Sequence, residues 1–114
     1  MTALDDLVAA IRAHRFAYVD EDELQQGLAA VLAPFGVARE VRLDSRCRID
    51  LLAGRVGIEV KVGGSAAALL RQVDRYAGLD TLDAIVVVTS RVRHLQPVDE
   101  ANGKPVRWIT VGAL

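Results

Sequence analysis

The sequence has little with which to staple itself, stack on bases or enter a membrane. It contains a single cysteine, Cys47, so an internal disulfide is impossible and no Cys/His spacing for a structural zinc exists. A lone strand-edge thiol and a reducing compartment fit that usage. Aromatic residues make up 4% of the chain, too few for base stacking to be its main mode of recognition. No apolar run approaches the roughly 20 residues that span a bilayer, and Asp5 and Asp6 stand where a secretory leader would be basic. A cytoplasmic protein without membrane contact is expected. The formal net charge of −1 argues against the broad cationic excess of a non-specific DNA coat.

With 52% hydrophobic and 25% charged residues, the composition is ordinary for a globular chain. A length of 114 residues suits one domain, 1–114, with a real core, but not a catalytic domain beside a separate binding domain. The charge is unevenly spread. Residues 1–38 are acidic, whereas the middle of the chain carries Arg39, Arg42, Arg46, Arg48, Arg55, Lys61, Arg71 and Arg75.

That basic field surrounds the stretch "RIDLLAGRVGIEVKV", Arg48 to Val62. It reads as two short strands joined at Gly54-Arg55, because Gly takes positive φ cheaply at the first centre of a type II′ hairpin turn. The register that follows pairs Ala53 with Val56, Leu52 with Gly57 and Leu51 with Ile58, and sets Asp50 across from Glu59. Like charges directly opposite destabilise a sheet. A cation between them reverses the sign, and two carboxylates with water and phosphate suit a hard ion such as Mg²⁺. Lys61 shares the face of Glu59, since strand side chains alternate.

Periodicity predicts a first helix from Thr2, its N-cap, to about Phe16, with Leu4, Leu7, Val8 and Ile11 inward. A second runs from about Asp20 to Ala33 and stops before Pro34 and Gly36. In its acidic opening "DEDEL", Glu21 lies close to the buried face, where it either reaches inward or complements the helix dipole. Glu23 is the lesser candidate. Val37 to Leu43 reads as a strand on which Glu40 either joins Asp50 as a third carboxylate or pairs with Arg42 in solvent, the second being favoured.

After "GGS", Ser65 caps a helix to about Ala77. Gln72 and Tyr76, four apart, share one face, and Gln72 points either to a polar pocket or to water. Arg71 and Arg75 share another face and are either solvated or in contact with phosphates. "DAIVVVT", Asp83 to Thr89, has the continuous apolar character of an interior strand and, through the crossover helix, runs parallel to the Glu59 strand. The segment "SRVRHLQPVDEANGKP" reads as a polar, turn-rich loop in which Arg91, Arg93 and His94 either lie near DNA or are solvated; His94 is the one candidate for a catalytic histidine, and a solvated loop histidine is the favoured reading. "VRWITV", Val106 to Val111, closes the chain as a strand, with Trp108 packed rather than stacked on a base. The order α-α-β-β-β-α-β-β gives an α/β fold with a central mixed sheet of about four to five strands flanked by helices.

"IDLLAGRVGIEVK" resembles the D-x(n)-E-x-K core of the PD-(D/E)xK nuclease superfamily, with Asp50, Glu59 and Lys61 matching residue by residue and Ile49 in place of the nominal Pro. Gln72 and Tyr76 fit the Q-x(3)-Y helix of its RecB-like and lambda-exonuclease-like branch, and "EDEL" resembles the opening helix of archaeal Holliday junction resolvases. The likeness covers about Asp20 to Thr89. It implies a restriction-endonuclease-like core and Mg²⁺-dependent cleavage of DNA, Mn²⁺ being able to substitute, by a homodimer or higher homo-oligomer. It further implies that Asp50 and Glu59 hold the metal, with Glu21 as the third acid in competition with Glu23 and Glu40. Lys61 would orient water or stabilise charge, and Gln72 would lie near the nucleophile or phosphate. Tyr76 would support the site, and Arg48, Arg71 and Arg75 would be possible DNA contacts. An endonuclease on duplex, branched or junction DNA leads, an exonuclease follows, and a non-cleaving nucleic-acid-binding or protein-interaction module is the reading from another class.

Overall fold

Each helix begins at a side chain that accepts a hydrogen bond from its own first turn, which satisfies one of the amides a helix start leaves without a partner. The computed structural model describes residues 2–112. Thr2 forms a reciprocal capping box with Asp5 and opens α1 (Ala3–Arg12); Asp20 caps α2 (Glu21–Val31), and Ser65 caps α3 (Ala66–Ala77). The first helix ends earlier than its apolar period suggests. Beyond Arg12 the His14 ring bonds the Ala10 carbonyl, and Phe16 reaches the core from extended chain instead. The second helix gives way to a single 3-10 turn, Ala33–Phe35, where Pro34 blocks the α-helical ladder and Gly36 takes φ +71°.

The strands are β1 (Ala38–Arg42), β2 (Arg48–Ala53), β3 (Val56–Lys61), β4 (Ala84–Thr89), β5 (Glu100–Ala101) and β6 (Lys104–Thr110). They form one mixed sheet in the order β1-β2-β3-β4-β6-β5. The first three are antiparallel, β3, β4 and β6 are parallel, and β5 returns antiparallel to β6. Helix α3 makes the crossover between the parallel strands β3 and β4. Helices α1 and α2 cover one face, where Leu7, Ile11, Leu24 and Leu28 meet Leu51, Ile58, Val60, Val86 and Val88. Helix α3 covers the other, where Leu69, Val73 and Tyr76 meet Ile49, Ile85 and Val87. Between two covered faces β4 is buried at every position, as its unbroken β-branched run predicts.

The sheet has one strand more than the sequence pattern suggests. The missing strand, β5, lies in the segment read as a loop. Asn102 (φ +49°) and Gly103 (φ +75°) make the two-residue turn that folds it onto β6. Asn-Gly is a strong hairpin signal in its own right, but its first strand is only Glu100 and Ala101, too short to show alternation. His94 also departs from expectation. It is fully buried rather than solvated, because the 3-10 turn Val92–His94 folds its ring under the end of β4. No helix among the described residues is long and apolar enough to cross a membrane.

Candidate active site

The turn of the β2–β3 hairpin is Gly54-Arg55, with Gly54 at φ +60° and Arg55 outside the positive-φ region. The register over Ala53↔Val56, Leu52↔Gly57 and Leu51↔Ile58 is the one the turn dictates. Beyond Leu51 the regular pairing stops, so Asp50 and Glu59 are not ladder partners. The backbone amide of Val60 instead donates to Asp50 Oδ2 at 2.8 Å, a side chain replacing a strand carbonyl. On β1 the residue between the pairs Arg39↔Leu51 and Val41↔Ile49 is Glu40, which adopts φ +51°. Both strands change face at this point. Leu51 and Ala53 pack toward α1 and α2, whereas Ile49 packs toward α3; Val37 and Val41 divide in the same way. Strict alternation would have put each pair on one face.

The kink brings Asp50 close to Glu59 through side chains rather than through the ladder, near enough for each to bear on the other's ionisation. Glu59 is 3% exposed, so burial disfavours its charge, and the neighbouring Asp50 charge adds to that. Together they push the Glu59 carboxyl up to about 8, although the Tyr76 hydroxyl and Lys61 oppose the rise. Burial and the Glu21 charge raise Asp50, against the opposing pull of its bond from Val60. The pair therefore titrates as a unit and retains a proton near neutrality.

Helix α3 supports the pair from one side. Tyr76 Oη lies 3.0 Å from Glu59 Oε1 and 2.9 Å from the Arg48 carbonyl, and it accepts from Gln72 Nε2 at 3.1 Å. A phenol has one proton. When Glu59 is ionised, Tyr76 donates to it; when Glu59 is protonated, the Arg48 carbonyl takes that donation. Burial and the Glu59 charge raise the phenol itself, so Tyr76 stays a donor. The spacing of Gln72 and Tyr76 thus places both on the face that meets β3, and Gln72 points into the polar cluster rather than into water.

Of the acids in competition, Glu21 stands at the first residue of α2, half-buried, with Oε1 accepting from the Val62 amide at 3.1 Å. Its charge bears on Asp50. Glu23 turns back to accept from the Val19 amide at 3.1 Å. Glu40 is exposed and stands 3.9 Å from Arg48, its ion-pair partner in place of Arg42. Lys61 is half-buried and makes no salt bridge among the described residues, while its charge favours ionisation of both Asp50 and Glu59. Arg71 and Arg75 are exposed on α3. A cavity of about 440 Å³ between the end of α1 and Trp108–Gly112 lies apart from these groups, and Trp108 is packed with its indole N–H on the Val98 carbonyl.

Among the described residues no three or more His, Cys, Asp or Glu side chains gather into a metal-binding group. What the kink does assemble is one carboxylate pair. Mg²⁺ is held through one or two carboxylates while keeping several waters and taking substrate phosphate, so Asp50 and Glu59 fit it without a closed protein cage. A dication held there would compete with the proton the pair retains.

Sequence reasoning missed the row that holds the backbone after Lys61. The amide of Ser90 donates to the Lys61 carbonyl, Arg91 Nε to that of Val62, and His94 Nε2 bonds that of Gly64. Only the Thr89–His94 spacing hints at it, since a Thr that ends an apolar strand is available to orient a ring folding back beneath it. No family model, no curated protein and no solved structure matches the chain.

Proposed function

We propose that the chain is a Mg²⁺-dependent DNA nuclease of the PD-(D/E)xK kind, with a restriction-endonuclease-like core and an endonucleolytic action on duplex, branched or junction DNA. The observation that carries this reading is the meeting of Asp50, Glu59 and Lys61 at the hairpin kink, braced by Tyr76 and Gln72 from α3.

Hydrolysis of a phosphodiester requires an attacking hydroxide, neutralisation of charge in the transition state and stabilisation of the leaving 3′ oxygen. Asp50 and Glu59 would hold the cation, which supplies an activated water and a positive counter-charge to the phosphate when bound. The Val60 amide keeps Asp50 aimed, and the Tyr76 hydroxyl does the same for Glu59. Lys61, two residues along β3 from Glu59, presents an ammonium that orients the attacking water or stabilises developing charge. Glu21, tied to Val62, adds negative charge beside Asp50 and so strengthens the pull on a cation. The exposed Arg48, Arg71 and Arg75 contribute phosphate contacts. No covalent nucleophile is needed. The body measures 35 × 30 × 28 Å, and with the one pair Asp50 and Glu59 at the kink in each copy a homodimer supplies one pair for each strand of a duplex.

A second reading, an exonuclease of the RecB or lambda type, is favoured by the hydrogen-bonded run from Gln72 through Tyr76 to Glu59. One assay separates the two. The purified protein is incubated with linear, circular, single-stranded and four-way-junction DNA in Mg²⁺, Mn²⁺ or EDTA, beside Asp50→Ala and Lys61→Ala. Cleavage is expected with either metal, abolished by EDTA and reduced by about 100-fold or more in both variants. Cutting of circular DNA marks the endonuclease, and digestion of linear DNA alone marks the exonuclease. Equal activity in the variants, or indifference to EDTA, refutes the site.

A further inference from the structure

His94 is the one histidine in the core, 0% exposed, and nothing in the proposed chemistry uses it. Its ring is bonded at both nitrogens. Nε2 lies 2.9 Å from the Gly64 carbonyl, which can only accept, so Nε2 carries a proton. Nδ1 lies 2.6 Å from Thr89 Oγ1, which also accepts from the Arg91 amide at 3.1 Å. In the neutral ring Nδ1 therefore accepts the Thr89 hydroxyl proton, and every polar atom of this buried group is satisfied.

The carbonyl that His94 holds lies three residues past Lys61, in the Gly63-Gly64 link between β3 and α3. Neither glycine has atoms near the place a Cβ would occupy, and Gly64 takes φ +82°. Side-chain packing therefore does little to hold this link. Hydrogen bonds from the chain after β4 hold it instead: Ser90 N on Lys61 O at 3.1 Å, Arg91 Nε on Val62 O at 3.1 Å and His94 on Gly64 O. Of these side chains His94 alone is buried, and Arg93 reaches the same carbonyl at 3.4 Å from an exposed position. On the opposite side Glu21 grips the Val62 amide.

We propose that His94 is a positioning residue: oriented by Thr89, it clamps the Gly64 carbonyl and so sets the backbone that carries Lys61 and launches α3 with Gln72 and Tyr76. The consequence for catalysis rests on the nuclease reading; the clamp itself does not. Misplacing a reacting group by about 1 Å costs on the order of 100-fold in rate, so a link of two glycines next to Lys61 needs such a fixture.

The test compares wild type, His94→Leu, His94→Gln and Thr89→Val as full chains. Gln offers an N–H to Gly64 and an oxygen to Thr89, whereas Leu offers neither. Hydrogen exchange by mass spectrometry on peptides covering residues 61–66 reads the clamp without any activity. Exchange there is expected to quicken about tenfold or more in His94→Leu and Thr89→Val, but not in His94→Gln, with the β4 peptides unchanged. In cleavage assays corrected for folded fraction, His94→Leu is expected to lose about 10- to 100-fold in kcat with KM nearly constant, and His94→Gln to recover most of it. Unchanged exchange at 61–66 in both His94→Leu and Thr89→Val overturns the clamp. Losses that merely follow the folded fraction, alike in Leu and Gln, overturn the positioning role. A wild type that cuts no DNA refutes the nuclease reading, while the exchange result still decides the clamp.

Discussion

The carboxyl of Glu59 makes the stability of this fold depend on pH in a direction opposite to that of an acid held ionised by an ion pair or hydrogen bonds. In an unfolded chain Glu59 ionises near 4.5, whereas in the fold burial and Asp50 hold it protonated up to about 8. Between those values the native state binds a proton that the unfolded state has released, so stability is full below about 4.5 and falls as pH rises through 8. At about 1.4 kcal/mol per pH unit, that gap corresponds to roughly 5 kcal/mol as an upper bound. This is a large part of the 5–15 kcal/mol typical of a small domain. Asp50, also raised, adds in the same sense. Urea denaturation in EDTA at half-unit steps from pH 5 to pH 9 measures it, with Glu59→Gln as the reference for titrations outside the pair. Wild type is expected to lose several kcal/mol relative to the variant across this range, and the variant to be the more stable of the two at pH 8.5. Saturating Mg²⁺ at pH 8.5 is expected to restore wild type alone, by about 2.7 kcal/mol at a hundred times Kd. Parallel pH profiles for the two proteins refute the buried, proton-holding Glu59. A pH difference without rescue by Mg²⁺ refutes the cation between the carboxylates.

Two further substitutions test the supports of the site. Tyr76→Phe removes the donor to Glu59 and the Arg48 carbonyl and leaves Gln72 without its partner; a loss of about 1–3 kcal/mol by urea denaturation is expected, and a loss within error would show that the phenol bears no weight. Gly54→Ala keeps the turn but forces a Cβ into φ +60°, costing about 1–2 kcal/mol in melting experiments while the pH dependence from Glu59 persists, since the register beyond the turn is held by Leu51↔Ile58.

What could be read from the sequence was whatever local chemistry decides. The register of β2 on β3 followed from one glycine and the alternation around it, and the helix starts followed from Thr2, Asp20 and Ser65. The face shared by Gln72 and Tyr76 followed from helical spacing. What could not be read was set by distant partners. Nothing near Glu40 announces φ +51°, and without it the alternation of β1 and β2 looks continuous. His94 sits in a polar run and looks solvated; its burial comes from Gly64, thirty residues away in the chain. The two-residue β5 was announced by Asn102-Gly103, but its strand was too short for a pattern to appear.

The kink also sets where each of the competing acids stands relative to the pair. Had the hairpin stayed regular, Asp50 and Glu59 would have faced each other across a ladder, a repulsion that costs stability and leaves each carboxylate pointing away from the backbone. Breaking the ladder at Asp50 gives its carboxylate the Val60 amide, and the same break turns Ile49 toward α3, beside Tyr76. Glu40 lies at the kink itself, where its backbone conformation leaves it exposed with Arg48; it cannot also line the buried side. Glu23 is spent on the start of α2. Glu21 alone remains tied to the far end of β3, through Val62, with its charge felt by Asp50. If it serves the site, Glu21→Gln weakens Mg²⁺ binding by lowering the negative field at Asp50 while keeping an acceptor for the Val62 amide. Calorimetric titration with Mg²⁺ reads this directly, and equal affinity in Glu21→Gln and wild type would assign Glu21 to holding β3 and nothing more.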